Sequence, residues 1–105
     1  MENKKKIEEL QLNEQNLQNL LLQKQTFQVR LMENENASKE LKDNKNQSYK
    51  IIGNIMVAED NDKLLKELDE EREILSLRIK NIEKQENLIR EKISKIQAEV
   101  MQDLK

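Results

Sequence analysis

From Leu65 to Val100 the chain repeats a single spacing. Leu65, Leu68, Arg72, Leu75, Ile79, Ile82, Glu86, Ile89, Ile93, Ile96 and Val100 follow one another by three and four residues in turn, and nine of these eleven are apolar. That period keeps one stripe of side chains on one face of a helix, and the stripe is buried only against another of its kind. The first half supplies a second stripe. The same alternation counted from Leu10 gives Leu10, Asn13, Leu17, Leu20, Lys24, Phe27, Leu31, Asn34, Ser38 and Leu41, six of the ten apolar. Two coiled-coil seams on one chain are therefore expected, the second stronger than the first.

The stretch between them decides whether they pair with each other. "KDNKNQS" (Lys42 to Ser48) carries the Asn and Ser that disfavour helix continuation, and "AEDND" (Ala58 to Asp62) offers Asp60, Asn61 and Asp62 as helix N-caps. Between the two lies "YKIIGNIMV", Tyr49 to Val57, with the chain's only Tyr and only Gly. Gly53 supplies a positive φ at the first central position of a two-residue turn and Asn54 tolerates the second, so the stretch reads as a β-hairpin. Ile52 then faces Ile55, and Ile51 faces Met56.

Folded at that turn, the seams match layer by layer, with Leu10 against Ile96, Leu17 against Ile89, Phe27 against Ile79, Leu31 against Leu75 and Leu41 against Leu65. Turn chemistry and heptad phase select the same fold-back point. The expected architecture is mostly α, a long antiparallel two-helix coiled coil with one central hairpin in a single domain spanning 1–105. Its elements are a helix over about 3–44, a hairpin over about 48–58 and a helix over about 60–104, in a shaft roughly 60 Å long at ~1.5 Å per residue. Asn34 falls opposite Arg72, and Lys24 lies one layer from Glu86. These polar positions either fix the register of the seam or let their long side chains reach out of it.

Composition excludes several classes of function. Apolar residues make up 35% of the chain and charged ones 38%, and the only aromatics are Phe27 and Tyr49, so no thick globular core is expected. The net charge of −2 provides no single-sign field for nucleic acid or anionic lipid, and the basic run Lys4 to Lys6 reads as a solubilising, frayed terminus. With neither Cys nor His and no phosphate-cradling Gly loop, the residues offer no catalytic set, metal ligands or cofactor site, and no enzyme is expected. No apolar run is long enough to span a membrane or form a secretory signal, and a cytoplasmic protein is expected.

The hairpin is apolar on both faces, with Ile52, Ile55 and Val57 on one and Tyr49, Ile51 and Met56 on the other. A lone two-stranded hairpin is marginal in water. Either it folds onto its own helix ends or strands from other chains cover it, and edge-to-edge assembly is the better reading because the helices already use their seams on each other.

"QKQ" (Gln23 to Gln25), "ENENASKEL" (Glu33 to Leu41), "YKIIGNIMV" and "IEKQE" (Ile82 to Glu86) together make the chain resemble the beta-type subunits of prefoldin, the archaeal ones most closely. The resemblance covers nearly the whole chain, and the central YK-x-x-G-x-x-x-V is its most specific part. It implies a hexamer of two alpha-type and four beta-type chains whose hairpins form a β-barrel body from which the coiled coils protrude. It also implies an ATP-independent holdase that captures unfolded proteins and passes them to a group II chaperonin. The polar "KDNKNQS" linker and a very short tail after the second helix depart modestly from the pattern, and the tail bears on chaperonin docking.

A surface that grips non-native chains must be apolar, exposed and adaptable. The free end of the shaft is the candidate, with Ile7, Leu10 and Leu12 from the first helix and Ile96, Val100, Met101 and Leu104 from the second. Leu12, Met101 and Leu104 lie off the strict seam, and Met suits irregular partners. Ile7, Leu10, Ile96 and Val100 read equally well as the last layers of the seam. The competing function is a structural or tethering scaffold subunit that binds no client.

Overall fold

The computed structural model describes residues 2–44 and 46–104; Met1, Lys105 and Lys45, the last within the expected linker, lie outside the described residues. The element order is α1 (Glu2–Asp43), β1 (Ser48–Ile52), β2 (Ile55–Glu59) and α2 (Asn61–Asp103). This is the mostly helical chain with one central hairpin that heptads and turn chemistry imply.

The chain forms two compact units, one of Met1–Thr26 with Ile79–Lys105 and one of Phe27–Arg78. In the first unit, Leu10, Asn13, Leu17, Leu20 and Lys24 are half-buried while every residue between them is exposed. Opposite them, Ile79, Ile82 and Ile96 are buried and Ile89, Ile93 and Val100 are half-buried. Lys24 bonds to Glu86 and Lys6 to Asp103, so the two helical stretches of this unit run antiparallel.

The second unit repeats the arrangement with its own residues. Phe27, Leu31, Ser38 and Leu41 are half-buried on α1, and Leu75 is the buried hydrophobic residue of α2, 4% exposed. The Arg78 guanidinium lies 5.6 Å from the centroid of the Phe27 ring, within cation–π range. Among the described residues the four buried hydrophobic ones, Leu75, Ile79, Ile82 and Ile96, all belong to α2. That asymmetry follows from the seams, because α1 spends Asn13, Lys24, Asn34 and Ser38 on positions where α2 places mostly Ile and Leu.

β1 and β2 pair antiparallel with Ile52 opposite Ile55, Ile51 opposite Met56, Lys50 opposite Val57, Tyr49 opposite Ala58 and Ser48 opposite Glu59. Gly53 has φ 60°, and no other described residue has a positive φ. A positive value at the first central position followed by a negative one at Asn54 defines a type II′ turn, whose twist matches that of the strands. A Cβ on Gly53 would meet nothing within 4 Å, so the constraint there is backbone conformation and not space.

Polar segments on either side of the hairpin end α1 and begin α2 through side-chain hydrogen bonds. The Asn46 backbone N–H donates to Asn44 Oδ1 (3.1 Å), a local turn that competes with helix continuation. The Asp62 backbone N–H donates to Asp60 Oδ1 (3.4 Å), which makes Asp60 the N-cap of α2. Gln47 Nε2 donates to the carbonyls of both Ser48 and Glu59 and ties the two strands at their base.

Candidate functional site

Three groups of residues bear on function: the hairpin, the polar seam positions, and the end of the first unit formed by residues 3–12 and 96–104. In the hairpin, strand alternation puts Ser48, Lys50, Ile52, Ile55, Val57 and Glu59 on one face and Tyr49, Ile51, Met56 and Ala58 on the other. The first face is anchored at its base, where Lys50 Nζ reaches Glu67 Oε2 at 3.0 Å and Ser48, Lys50 and Glu59 are half-buried. The second face is exposed along its whole length. Tyr49, Ile51, Ile52, Ile55, Met56 and Val57 are 40–71% exposed, six large apolar side chains on one short hairpin.

The hairpin does not fold down onto its own helices far enough to hide these side chains. A groove of about 460 Å³ remains at its base, lined by Leu41, Leu64, Leu68, Tyr49 and Glu67 among others.

Among the polar seam positions, Lys24 Nζ lies 3.4 Å from Glu86 Oε2, and Arg90 Nη2 lies 3.0 Å from Glu86 Oε1. Only 12% of the Glu86 side chain is exposed. The hydrogen bond from Arg90 and then that from Lys24 hold the Glu86 carboxyl below its ordinary value of 4.5, against the opposing effect of desolvation. The unfolded chain therefore takes up this proton at a higher pH than the folded one. The stabilisation is complete above about pH 4.5 and disappears as the pH falls toward the lowered folded value. Glu86→Gln is expected to lower stability by roughly 1 kcal/mol at neutral pH, with the gap to the unaltered chain closing on acidification. Thermal melts of both proteins between neutral and acid pH check this; a gap that persists unchanged at the acid end would contradict it.

Asn34 and Arg72 do not engage each other. Asn34 is 4% exposed and its Nδ2 donates to the Leu68 carbonyl at 2.8 Å, one turn from Arg72. Arg72 is exposed and its Nη2 bonds Asp69 Oδ1 at 2.6 Å. An arginine with a carboxylate three residues away on its own helix keeps its charge in water, at lower cost than desolvating it in the seam.

At the end of the first unit the seven apolar candidates divide. Ile96 is buried, and Leu10 and Val100 are half-buried, so these three belong to the seam. Ile7, Leu12, Met101 and Leu104 are 43–72% exposed. Ile7 is off the seam because the three-four alternation carried back from Leu10 lands on Lys6 and then Asn3, and both are half-buried. Lys6 is thus no part of a frayed basic run: its Nζ lies 2.8 Å from Asp103 Oδ2 and 3.9 Å from Glu99 Oε2. Heptad counting could have found this had it been extended to the start of the chain. The same counting passes over Leu22, Val29, Met32, Ile74, Leu77 and Leu88, which are exposed on the outer faces of the helices.

Among the described residues no group of three or more Cys, His, Asp or Glu is placed to hold a metal ion, and no helix is long and apolar enough to cross a membrane. What the fold defines is a class of subunit: two long helices joined through a hairpin that exposes apolar side chains on both faces.

The prefoldin subunit family model matches residues 4–105, and the chain belongs to that family. It is 46% identical to prefoldin subunit beta of Sulfurisphaera tokodaii over 52 residues, which are 50% of this chain and 42% of that protein. Against prefoldin subunit beta of Pyrobaculum islandicum it is 39% identical over 56 residues, 53% of this chain and 45% of the relative. The matched stretch thus spans less than half the length of either relative. The crystal structure of the prefoldin beta subunit from Thermococcus strain KS-1 superposes with a TM-score of 0.91 at 29% identity, covering 99% of this chain and 93% of that one. The beta2 subunit of the same strain has a TM-score of 0.74 at 24% identity, covering 90% and 99%, a likeness of fold.

Proposed function

We propose that the chain is a beta-type subunit of a cytoplasmic, ATP-independent holdase, captures non-native proteins at the end of its paired helices, and passes them to a group II chaperonin. In this reading its hairpin joins those of alpha-type and further beta-type chains, two and four in all, in a common β-barrel body. The observation that carries the reading is the exposure of Ile7, Leu12, Met101 and Leu104 at one end of the first unit. Unfolded chains share no sequence but all expose apolar groups, so flexible apolar side chains outside a packed seam are a suitable surface for them. Family membership and the exposed apolar hairpin support assembly with related subunits.

The test is light scattering of a chemically unfolded protein diluted, without nucleotide, into the full chain assembled with an alpha-type partner. Aggregation is expected to be suppressed. Replacing Ile7, Leu12, Met101 and Leu104 together by Ser is expected to weaken suppression several-fold with helix content and assembly unchanged, because exposed substitutions cost little stability. Buried Ile96 and half-buried Leu10 and Val100 favour a second reading, a scaffold subunit whose seam is simply finished at this end. Aggregation that proceeds untouched in the presence of an intact oligomer would decide for the scaffold.

A further inference from the structure

We propose that Lys6, Glu99 and Asp103 form an ionic clasp that sets how readily the end of the first unit opens, and so how much of Leu10, Ile96 and Val100 a non-native chain can reach. The inference rests on the client-binding reading for its consequence and on geometry for the clasp itself. Beyond Leu10 and Val100 the described seam positions are no longer apolar. Asn3 and Lys6 take them on α1, and Asp103 takes the next one on α2. Closure at this end therefore comes from charge, through contacts of 2.8 Å from Lys6 Nζ to Asp103 Oδ2 and 3.9 Å to Glu99 Oε2.

The placement of these charges ties closure to the state of the helix ends. Lys6 lies near the positive N-terminal end of α1, and Glu99 and Asp103 near the negative C-terminal end of α2, so each is unfavourable to its own helix. When the ends close, each charge meets the opposite end of the neighbouring helix and an opposite charge. Opposing closure, Asn3 Oδ1 is shielded with no hydrogen-bond partner among the described groups, a cost that opening to water removes. The Lys6 side chain is 26% exposed, and those of Glu99 and Asp103 are 42% and 39% exposed, so salt reaches the cluster and weakens it. A modest attraction set against a modest penalty makes an end that opens and recloses easily.

The experiment is amide hydrogen exchange of the full chain over residues 4–12 and 96–104, at about 0.03 M and about 0.5 M salt, a range over which surface pairs weaken. Exchange at both ends is expected to accelerate about two- to fivefold at the higher salt, with residues near Ile82 unchanged. Lys6→Glu is expected to accelerate it to a similar or greater extent at low salt, and Lys6→Glu with Glu99→Lys and Asp103→Lys to restore slow exchange. Lys6→Leu, which completes the seam with an apolar layer, is expected to exchange slowly at both salt concentrations. Salt-independent exchange in the unaltered chain, or a triple variant as fast as Lys6→Glu alone, overturns the clasp. Capture of an unfolded protein is expected to follow exchange across the series. If the ends open as described while capture stays constant, the clasp stands as geometry, but the inference that it controls access to a client surface falls.

Discussion

Replacing Ile51 and Met56 together by Lys is expected to abolish assembly of this chain with other subunits while leaving both helices formed. The two side chains sit directly opposite each other across the hairpin and are 71% and 66% exposed. In the separate chain the substitutions lose little burial, although like charges facing each other across a strand pair weaken the hairpin by up to about 1 kcal/mol. In an assembly that covers this face, two ammonium groups would lose their water without a counter-charge, at several kcal/mol each. Since about 1.4 kcal/mol is tenfold in affinity, the dissociation constant is expected to rise by at least about a thousandfold. Size-exclusion chromatography with light scattering reads the loss, and far-UV circular dichroism shows that α1 and α2 remain. An oligomer of unchanged mass and affinity would show that the Tyr49–Ile51–Met56 face is not the one that assembles.

The second large effect concerns stability, and it separates two leucines that composition treats alike. Leu75 is 4% exposed and Leu77, two residues along the same helix, is 60% exposed. Truncating Leu75 to Ala removes packed methyl groups and leaves a cavity between two helices that cannot close it without shifting the seam. The expected cost is about 2–4 kcal/mol, corresponding to a melting midpoint lower by roughly 10–20 °C for a chain of this size. Leu77→Ala exchanges one exposed apolar side chain for a smaller one and is expected to change stability by no more than about 0.5 kcal/mol. Thermal melts of the two variants under one set of conditions make the comparison. Equal losses would mean that the heptad stripe is not what holds these helices.

That contrast shows where periodicity is informative. The seam residues could be named in advance because burial on a helix recurs with the helix's own period, and of the 21 positions counted from Leu10 and Leu65, only Arg72 is exposed. The turn was equally legible: with a single Gly in the chain, only Gly53 could take a positive φ at no steric cost, and the strand register follows from its position. The ends of the helices were marked by Asn44 and Asp60, whose side chains bond to nearby backbone and need no distant partner.

The candidate sites were less legible. Of the seven apolar residues at the end of the first unit, spacing set Leu12, Met101 and Leu104 apart but left Ile7, Leu10, Ile96 and Val100 open between seam and surface; the seam takes the last three and leaves Ile7 exposed. Arg72 occupies a seam position and leaves it for Asp69, whereas Lys24 keeps its place against Glu86. The difference lies in what each charge finds within reach, on its own helix or across the pair.

Secondary structure, fold-back point and strand register were thus determined by the sequence alone, because each depends on backbone preference or on a repeat that one helix or one turn expresses by itself. Only the tertiary structure decided which side chains are spent and which stay available. It turned Asn34 to the Leu68 carbonyl, drew Lys6 to Glu99 and Asp103, and kept one hairpin face uncovered. Those outcomes depend on which long, flexible side chains two helices bring within a few ångströms of each other, and no spacing along one chain encodes that.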